Sequence, residues 1–368
     1  MQRALIVVVI LILLIASLAV GTLAAHWPFW QRAWSWQFAA DGWPEQLPGP
    51  SVMLKAAPNA APLRVAPDAQ LAHIAMGSNT ELLMLGDRAG GVRAYFAADR
   101  NERSSIDGRG LAAGLIAPLY GALIANGHAG LLDEPVGTRI ESWRDTPRGA
   151  ITPRQLLWQL SGLAAEPFRP LNPASRRAQL ASGPDFDRAT LHTRLAYPPG
   201  SHFDESPANA QVLAVLASKL DGASFAQVLE KDLWARFAAE PATGMLDHRR
   251  GHLAAHCCLR ASAADWLRLG LLVADDGRAN GRQILPAGYV RQMTLSSPVH
   301  PGYGLGYRVQ AGAGGAPLLV LQTAGRMLIA APGTGRALLW VGSGMPPAAL
   351  EQLLWAATSE AGDSTSAK

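Results

Sequence analysis

The sequence predicts an α/β chain of the α+β type: an antiparallel sheet flanked by helices, with a large helical insertion, preceded by an N-terminal transmembrane helix. Two observations carry this expectation. After Met-Gln-Arg an uncharged apolar run of 22 residues extends from Ala4 to Ala25, which as a helix is long enough to span a bilayer. Beyond it the hydrophobic pattern runs strand pair, helical block, strand triplet, helix, the order of one sheet split by an insertion.

The apolar run exceeds the core of a signal peptide, and Thr22-Leu23-Ala24 is a weak cleavage site, so a retained anchor is favoured over a cleaved signal. Arg3 precedes the run and no comparable basic cluster follows it, which orients the N-terminus inside and the body outside. Trp27, Trp30, Trp34, Trp36 and Trp43 come next, five of the chain's eleven tryptophans. They are placed where indole rings sit at lipid headgroups, in a Pro- and Gly-broken segment with no evident helix or strand period. From Gly42 to about Asp68 the composition of Pro, Gly and Ala reads as a tether carrying no chemistry.

In the body, Glu81 to Ala97 has two apolar runs about a Gly-Gly turn and reads as a β-hairpin. Leu111, Leu115, Leu119 and Leu123 recur at helical spacing, which predicts one helix from Arg109 to Asn126 with Gly127 past its end. Further helices are expected around Leu156, Val212, Leu229 and Leu267. Strands return from Tyr303, Pro317, Arg326 and Arg336, and a final helix starts at about Ala348. The expected division is residues 1–25 as anchor or signal, 26–68 as Trp-rich juxtamembrane segment and linker, and 69–360 as one domain. Its sheet lobe takes 69–108 and 300–360, its helical lobe 109–299, and 361–368 form a disordered tail.

With 368 residues, 49% of them hydrophobic and 16% charged, the chain buries a proper core and is neither disordered, collagenous nor a coiled coil. The 32 basic against 28 acidic residues leave only +4, too little field for a nucleic-acid binder. Lysine occurs only at Lys55, Lys219, Lys231 and Lys368. The two cysteines, Cys257 and Cys258, are adjacent, so no disulfide framework exists. A bond between them would be strained, and none is expected.

Several strings are distinctive: GLLDEPV at Gly130, ITPRQLLWQLSGL at Ile151, YPPGSHF at Tyr197, and the 36 residues from Ala255 to Val290. Together they resemble the serine β-lactamase, penicillin-binding DD-peptidase and 6-aminohexanoate-dimer hydrolase superfamily, from about Leu82 to Val341. The resemblance implies that superfamily's fold and a nucleophilic serine in Ser-x-x-Lys at the start of the long helix, with the lysine and a tyrosine taking its proton. Here those first two positions map onto Gly110 and Ala113, and no Ser-x-x-Lys occurs anywhere in the chain. The Tyr-x-Asn positions map onto Glu205 and Pro207. The third motif, on a strand edging the site, maps onto Gln322 to Arg326 and keeps only Gly325. The sequence is thus that of a divergent member lacking the Ser-x-x-Lys motif.

Three function readings follow. The first is a pseudoenzyme whose inherited cleft binds a peptide, amide, cell-envelope fragment or small molecule, with Arg109, Asp204, Glu205 and Arg326 as candidate ligand contacts. The second is a hydrolase of amide or ester bonds with a relocated nucleophile, Ser104 or Ser105, activated by His202, Asp204 or Glu205. The third is a metal-dependent hydrolase on His248, His252 and His256, spaced four apart, with Cys257 as a further ligand, although Gly251 argues against a regular helix there. No cofactor is expected, the partners are the membrane and a cell-envelope or small-molecule ligand, and the location is the inner membrane with the globular domain in the periplasm.

Overall fold

In the computed structural model, the described residues are 2–39, 42–44, 46–76, 78–312, 315–343 and 346. Thirteen strands fall in this range: β1 (Ser51–Leu54), β2 (Arg64–Pro67), β3 (Thr80–Asp87), β4 (Gly91–Phe96), β5 (Ser105–Asp107), β6 (Ala242–Met245), β7 (Leu259–Ser262), β8 (Arg278–Ala279), β9 (Arg282–Gln283), β10 (Arg308–Ala311), β11 (Pro317–Thr323), β12 (Arg326–Ala331) and β13 (Arg336–Gly342). The main sheet has seven strands in the order β10-β11-β12-β13-β3-β4-β2, and a second has four in the order β1-β6-β7-β5. The N-terminal hairpin strand β3 pairs with the C-terminal strand β13, antiparallel, with Leu85 opposite Leu338. One sheet is therefore closed by the two ends of the domain, with the helical lobe inserted between them.

The strand sequences explain this placement. Along β3, Leu82 and Met84 enter one core while Leu83 and Leu85 enter the other, the two-residue period of a strand covered on both faces. The helix Ala263–Ala274 covers one face. Its Gly270 permits the approach, since a Cβ there would meet the Ala337 Cβ at 2.8 Å and Leu328 Cδ1 at 2.9 Å. Ser262 caps this helix by accepting from the Asp265 N–H at 3.1 Å, a contact of about 1 kcal/mol. The short helix Ala69–Ala75, through Leu71, covers the other face.

Several sequence expectations need correction. Residues 42–68 are not a tether. β1 pairs antiparallel with β6, and β2 pairs in parallel with β4. Four-residue strands show too little alternation to be read, and their partners lie far along the chain. The tryptophan segment is a helix, Trp27–Gln37, with Phe29, Ala33 and Trp36 buried. Trp27, Trp34 and Phe38 remain exposed. The long helix is two pieces, a 3₁₀ stretch Arg109–Leu115 and an α-helix Ile116–Ala125, followed by Gly127 at φ +110°. Around Leu229 the helix Phe225–Leu229 passes through a π-helical stretch, Glu230–Trp234. The strand expected from Tyr303 starts only at Arg308, because Gly306 takes a positive φ of 72° first. The expected final helix and tail lie outside the described residues. Gln2–Ala25 form one helix whose described side chains stand exposed. Among the described residues no single helix is long and apolar enough to cross a membrane, the shorter apolar stretch here being Val8–Leu18.

Candidate functional site

The turn after β5 enters the helical lobe through the 3₁₀ stretch Arg109–Leu115, which packs against β11. Gly110 faces that strand: a Cβ built on it would stand 3.3 Å from Thr323 Cβ and Oγ1. Pro207 sits in the first turn of the helix Pro207–Asp221, whose N-cap Ser206 accepts from the Ala208 N–H. Gly110, Pro207 and Thr323 all line one cavity of about 230 Å³, so the first two motif positions converge in space on the end of the strand carrying the third. Ala113 is half-buried beside that turn, packed against the core. Gln322 is half-buried on β11 opposite Met327, and Gly325 makes the turn into β12 at φ +73°.

The cavity is roofed by the tryptophan segment. Trp36 is buried, donates its indole N–H to the Ala181 carbonyl at 3.2 Å, and meets Trp43 and Phe168 edge-on with ring centres 4.9 and 5.8 Å away. Arg32 from the same helix donates to the Gly183 carbonyl at 3.0 Å. Trp43 donates to Asp107 Oδ2 at 3.0 Å, and the Arg109 guanidinium lies 5.6 Å from the Trp43 ring centre, a cation–π contact. The roof was missed in the sequence, where these tryptophans read as interfacial; their irregular spacing gives no signal of a partner 145 residues away.

Of the candidate polar residues, Ser105, Arg109 and Arg326 share a wider groove of about 900 Å³. Arg326 is buried, donating from Nε to the Asp107 carbonyl at 3.0 Å and from Nη1 to the Gly325 carbonyl at 2.7 Å. Burial, with the nearby Arg109 charge, lowers its pKa to about 10. Arg109 also donates to the Ala324 carbonyl at 2.9 Å. The residues just before Pro207, His202 to Glu205, line neither this groove nor the cavity at Gly110. Glu205 pairs with Arg308 on β10 at 3.0 Å, because the strand β10 faces it. The Asp204 backbone N–H donates to the Gln159 carbonyl at 3.0 Å. His202 is exposed and stacked on Tyr197, ring centres 4.0 Å apart. Ser104 Oγ accepts from the Asn101 N–H at 2.9 Å. Among the described residues neither serine hydroxyl is hydrogen-bonded to a histidine or carboxylate.

Beneath the loop is a buried network that the sequence reading did not single out. Ser161 donates to Asn209 Oδ1 at 2.6 Å, and Asn209 donates to Gln159 Oε1 at 2.5 Å. Gln159 stands at φ +60°, and its Oε1 also accepts from the Ser206 N–H at 3.2 Å. Tyr303 adjoins Gln159, and burial raises its hydroxyl pKa. These bonds tie Ser161, Asn209, Gln159 and the Ser206 N–H together, which rigidifies the loop that holds Glu205 and Pro207. The Ser161-Gly162 pair ending ITPRQLLWQLSG is the only sequence signal of it.

The histidine cluster is divided. His252 Nδ1 lies 2.9 Å from Asp247 Oδ2, with Asp185 and Asp187 at 3.5 and 3.4 Å. The Asp247 hydrogen bond and the surrounding carboxylates outweigh desolvation and raise the His252 pKa to about 9. Burial works against ionised Asp247, but hydrogen bonds from His252 and from the backbone N–H groups of Phe186 and His252 hold its pKa low. His248 also approaches Asp247, at 2.8 Å. His256 instead lines the cavity at Gly110, where burial and the Arg177 charge lower its pKa to about 4. The structure therefore does not bring His248, His252, His256 and Cys257 together around one point. The segment is an irregular loop, and Cys257 is spent in a disulfide with Cys258, the bond that the sequence reading did not expect. The chain turns at Cys258, φ +72°, which brings the two sulfurs together. Asp185, Asp247 and His252 offer ligand atoms within 4.8 Å of one another, but three backbone N–H groups and the His252 ring already occupy the Asp247 carboxylate.

The family model described as Beta-lactamase matches residues 121–363. No curated protein matches the chain. Among solved structures, a protein assigned as a 6-aminohexanoate-dimer hydrolase from Bacillus anthracis superposes with a TM-score of 0.71 at 18% identity, covering 89% of this chain and 92% of that one. A penicillin binding protein from Bacillus halodurans gives 0.58 at 13% identity over 78% and 98% of the two chains. A beta-lactamase from Mycobacterium bovis gives 0.53 at 16% over 80% and 97%. At these identities the structures speak for the fold.

Proposed function

Because this chain belongs to the beta-lactamase family, we propose that it is a member that binds a cell-envelope or small-molecule ligand in the inherited cleft without hydrolysing it, held at the membrane by its N-terminal helix. The observation that carries this reading is Gly110. The position of the family's nucleophile has no side chain, and Ala113, one turn on, has no proton acceptor. A nucleophile works only with a base in reach, and losing several members of such a unit leaves roughly 10³–10⁴ over water from binding and polarising groups. Trp36 and Trp43 over the same cavity support the reading, since a hydrolase needs the scissile bond to reach that floor.

Anchoring is supported by the apolar helix before the body and by the exposed Trp27, Trp34 and Phe38 directly after it, with the domain on the periplasmic side of the inner membrane as Arg3 orients it. Fractionation tests this part: the protein stays with membranes through salt and carbonate washes, and release into a soluble periplasmic pool would contradict it. Catalysis is tested by exposing the full chain to a fluorophosphonate and to a penicillin and recording intact mass.

A further inference from the structure

The cavity at Gly110 is built partly from this chain's own N-terminal segment, and its walls say what fits. Trp36, Trp43 and Phe168 supply aromatic surface to a space of about 230 Å³. An apolar cavity of about 150 Å³ takes a benzene ring, so the space suits one substituted ring and is too small for an extended peptide. Besides the Thr323 hydroxyl, two polar groups stand in this aromatic setting. Arg177 is the one charged side chain on the wall, and its hydrogen bond among the described residues goes to the Glu166 carbonyl at 3.1 Å, not to a carboxylate. His256 is the other. Its Nδ1 is buried and has no hydrogen-bond partner among the described residues. Its depressed pKa, about 4, keeps the imidazole neutral, so it offers a hydrogen bond and no charge.

We propose that this cavity is a binding site for a small aromatic carboxylate, its ring packed against the aromatic wall of Trp36, Trp43 and Phe168 and its anionic group directed to Arg177 and His256. A carboxylate supplies the anion that the arginine lacks and an acceptor for the imidazole N–H, while a cationic amine of the same size would meet Arg177 as a like charge. The assignment rests on the reading that the cleft binds without cleaving, and it narrows the ligand from peptide or envelope fragment to a single-ring acid.

The test uses the full chain in detergent and three probes: benzoate, benzylamine and tetra-alanine, followed by tryptophan fluorescence and calorimetry. Benzoate is expected to saturate one site and to bind at least about tenfold more tightly than benzylamine, the scale of one well-placed or misplaced group in a fitted pocket. Tetra-alanine is expected not to compete with it. Arg177→Gln should remove the preference for benzoate. Thr323→Phe, which fills the space from the sheet side, should block benzoate while leaving Arg177 in place, and it serves if the first variant fails to fold. Absence of saturable benzoate binding to the wild-type chain, equal binding of benzylamine, or displacement by tetra-alanine would each overturn the assignment. Failure of the broader reading looks different: a covalent mass adduct on a protein that still binds benzoate removes the non-hydrolytic role and leaves the site standing.

Discussion

His252 and His256 are four residues apart, and the chain puts them in opposite settings. His252 stands in a carboxylate cage at the surface, charged and held by Asp247, whereas His256 stands in an aromatic cavity, neutral and next to a cation. Equal spacing in sequence suggested one metal-binding face. The loop between them undoes it, because environment and not interval decides what an imidazole does. One histidine is structural glue between two loops, and the other lines the cavity at Gly110.

The largest expected effect that would sharpen this contrast is at the cage. Asp247 is fully buried and accepts from the backbone N–H groups of Phe186, His248 and His252. Asp247→Ala leaves those donors and a charged imidazole without their acceptor and should cost about 3 kcal/mol or more in denaturant unfolding. A loss below about 1 kcal/mol would mean that the cage does not hold the loops.

The two histidines should also tilt stability in opposite directions with pH. His256 has a folded-state pKa near 4, below its ordinary 6.5. As pH falls from about 6.5 the unfolded chain takes up the proton first, so the folded state should lose about 2–3 kcal/mol by pH 4, a loss that His256→Gln removes. His252 is raised to about 9, so its contribution is complete below about pH 6.5 and is lost as pH rises through 9. With its side chain 41% exposed, solvent screening reduces that contribution to about 1 kcal/mol, and His252→Gln should flatten the alkaline limb. Identical pH profiles for the two variants would break the comparison.

The smallest effect belongs to the Glu205–Arg308 pair, exposed on both sides. Glu205→Gln should change stability by about 0.5 kcal/mol or less. A larger loss would place Glu205 in a load path that the geometry does not show.

What could be read from the sequence follows the range of the interactions. The β3–β4 hairpin, the three strands from Pro317 to Gly342 and the helices around Val212 and Leu267 carry their own period and turn residues, and they stand close to where the pattern puts them. The family strings pointed to the superfamily that the family model matches. Long-range contacts were not legible. β1 and β2 hide in a Pro- and Ala-rich stretch because each is completed by a strand elsewhere, and Trp36 looks interfacial until its bond to Ala181 is seen. Glu205 was read as a ligand contact in the cleft and instead pairs with Arg308, since motif position says which loop carries a residue but not which strand faces it. The Cys257–Cys258 bond was missed because a general rule of geometry was applied without knowing the turn at Cys258.

The central claim is that the floor of this cleft performs no acyl transfer. Intact mass of the folded full chain after incubation with a fluorophosphonate and with a penicillin tests it most directly. The account predicts an unmodified mass with both probes. A stoichiometric adduct with either, mapped by digestion to Ser104, Ser105 or any other side chain, would contradict it and make the protein a hydrolase with a relocated nucleophile.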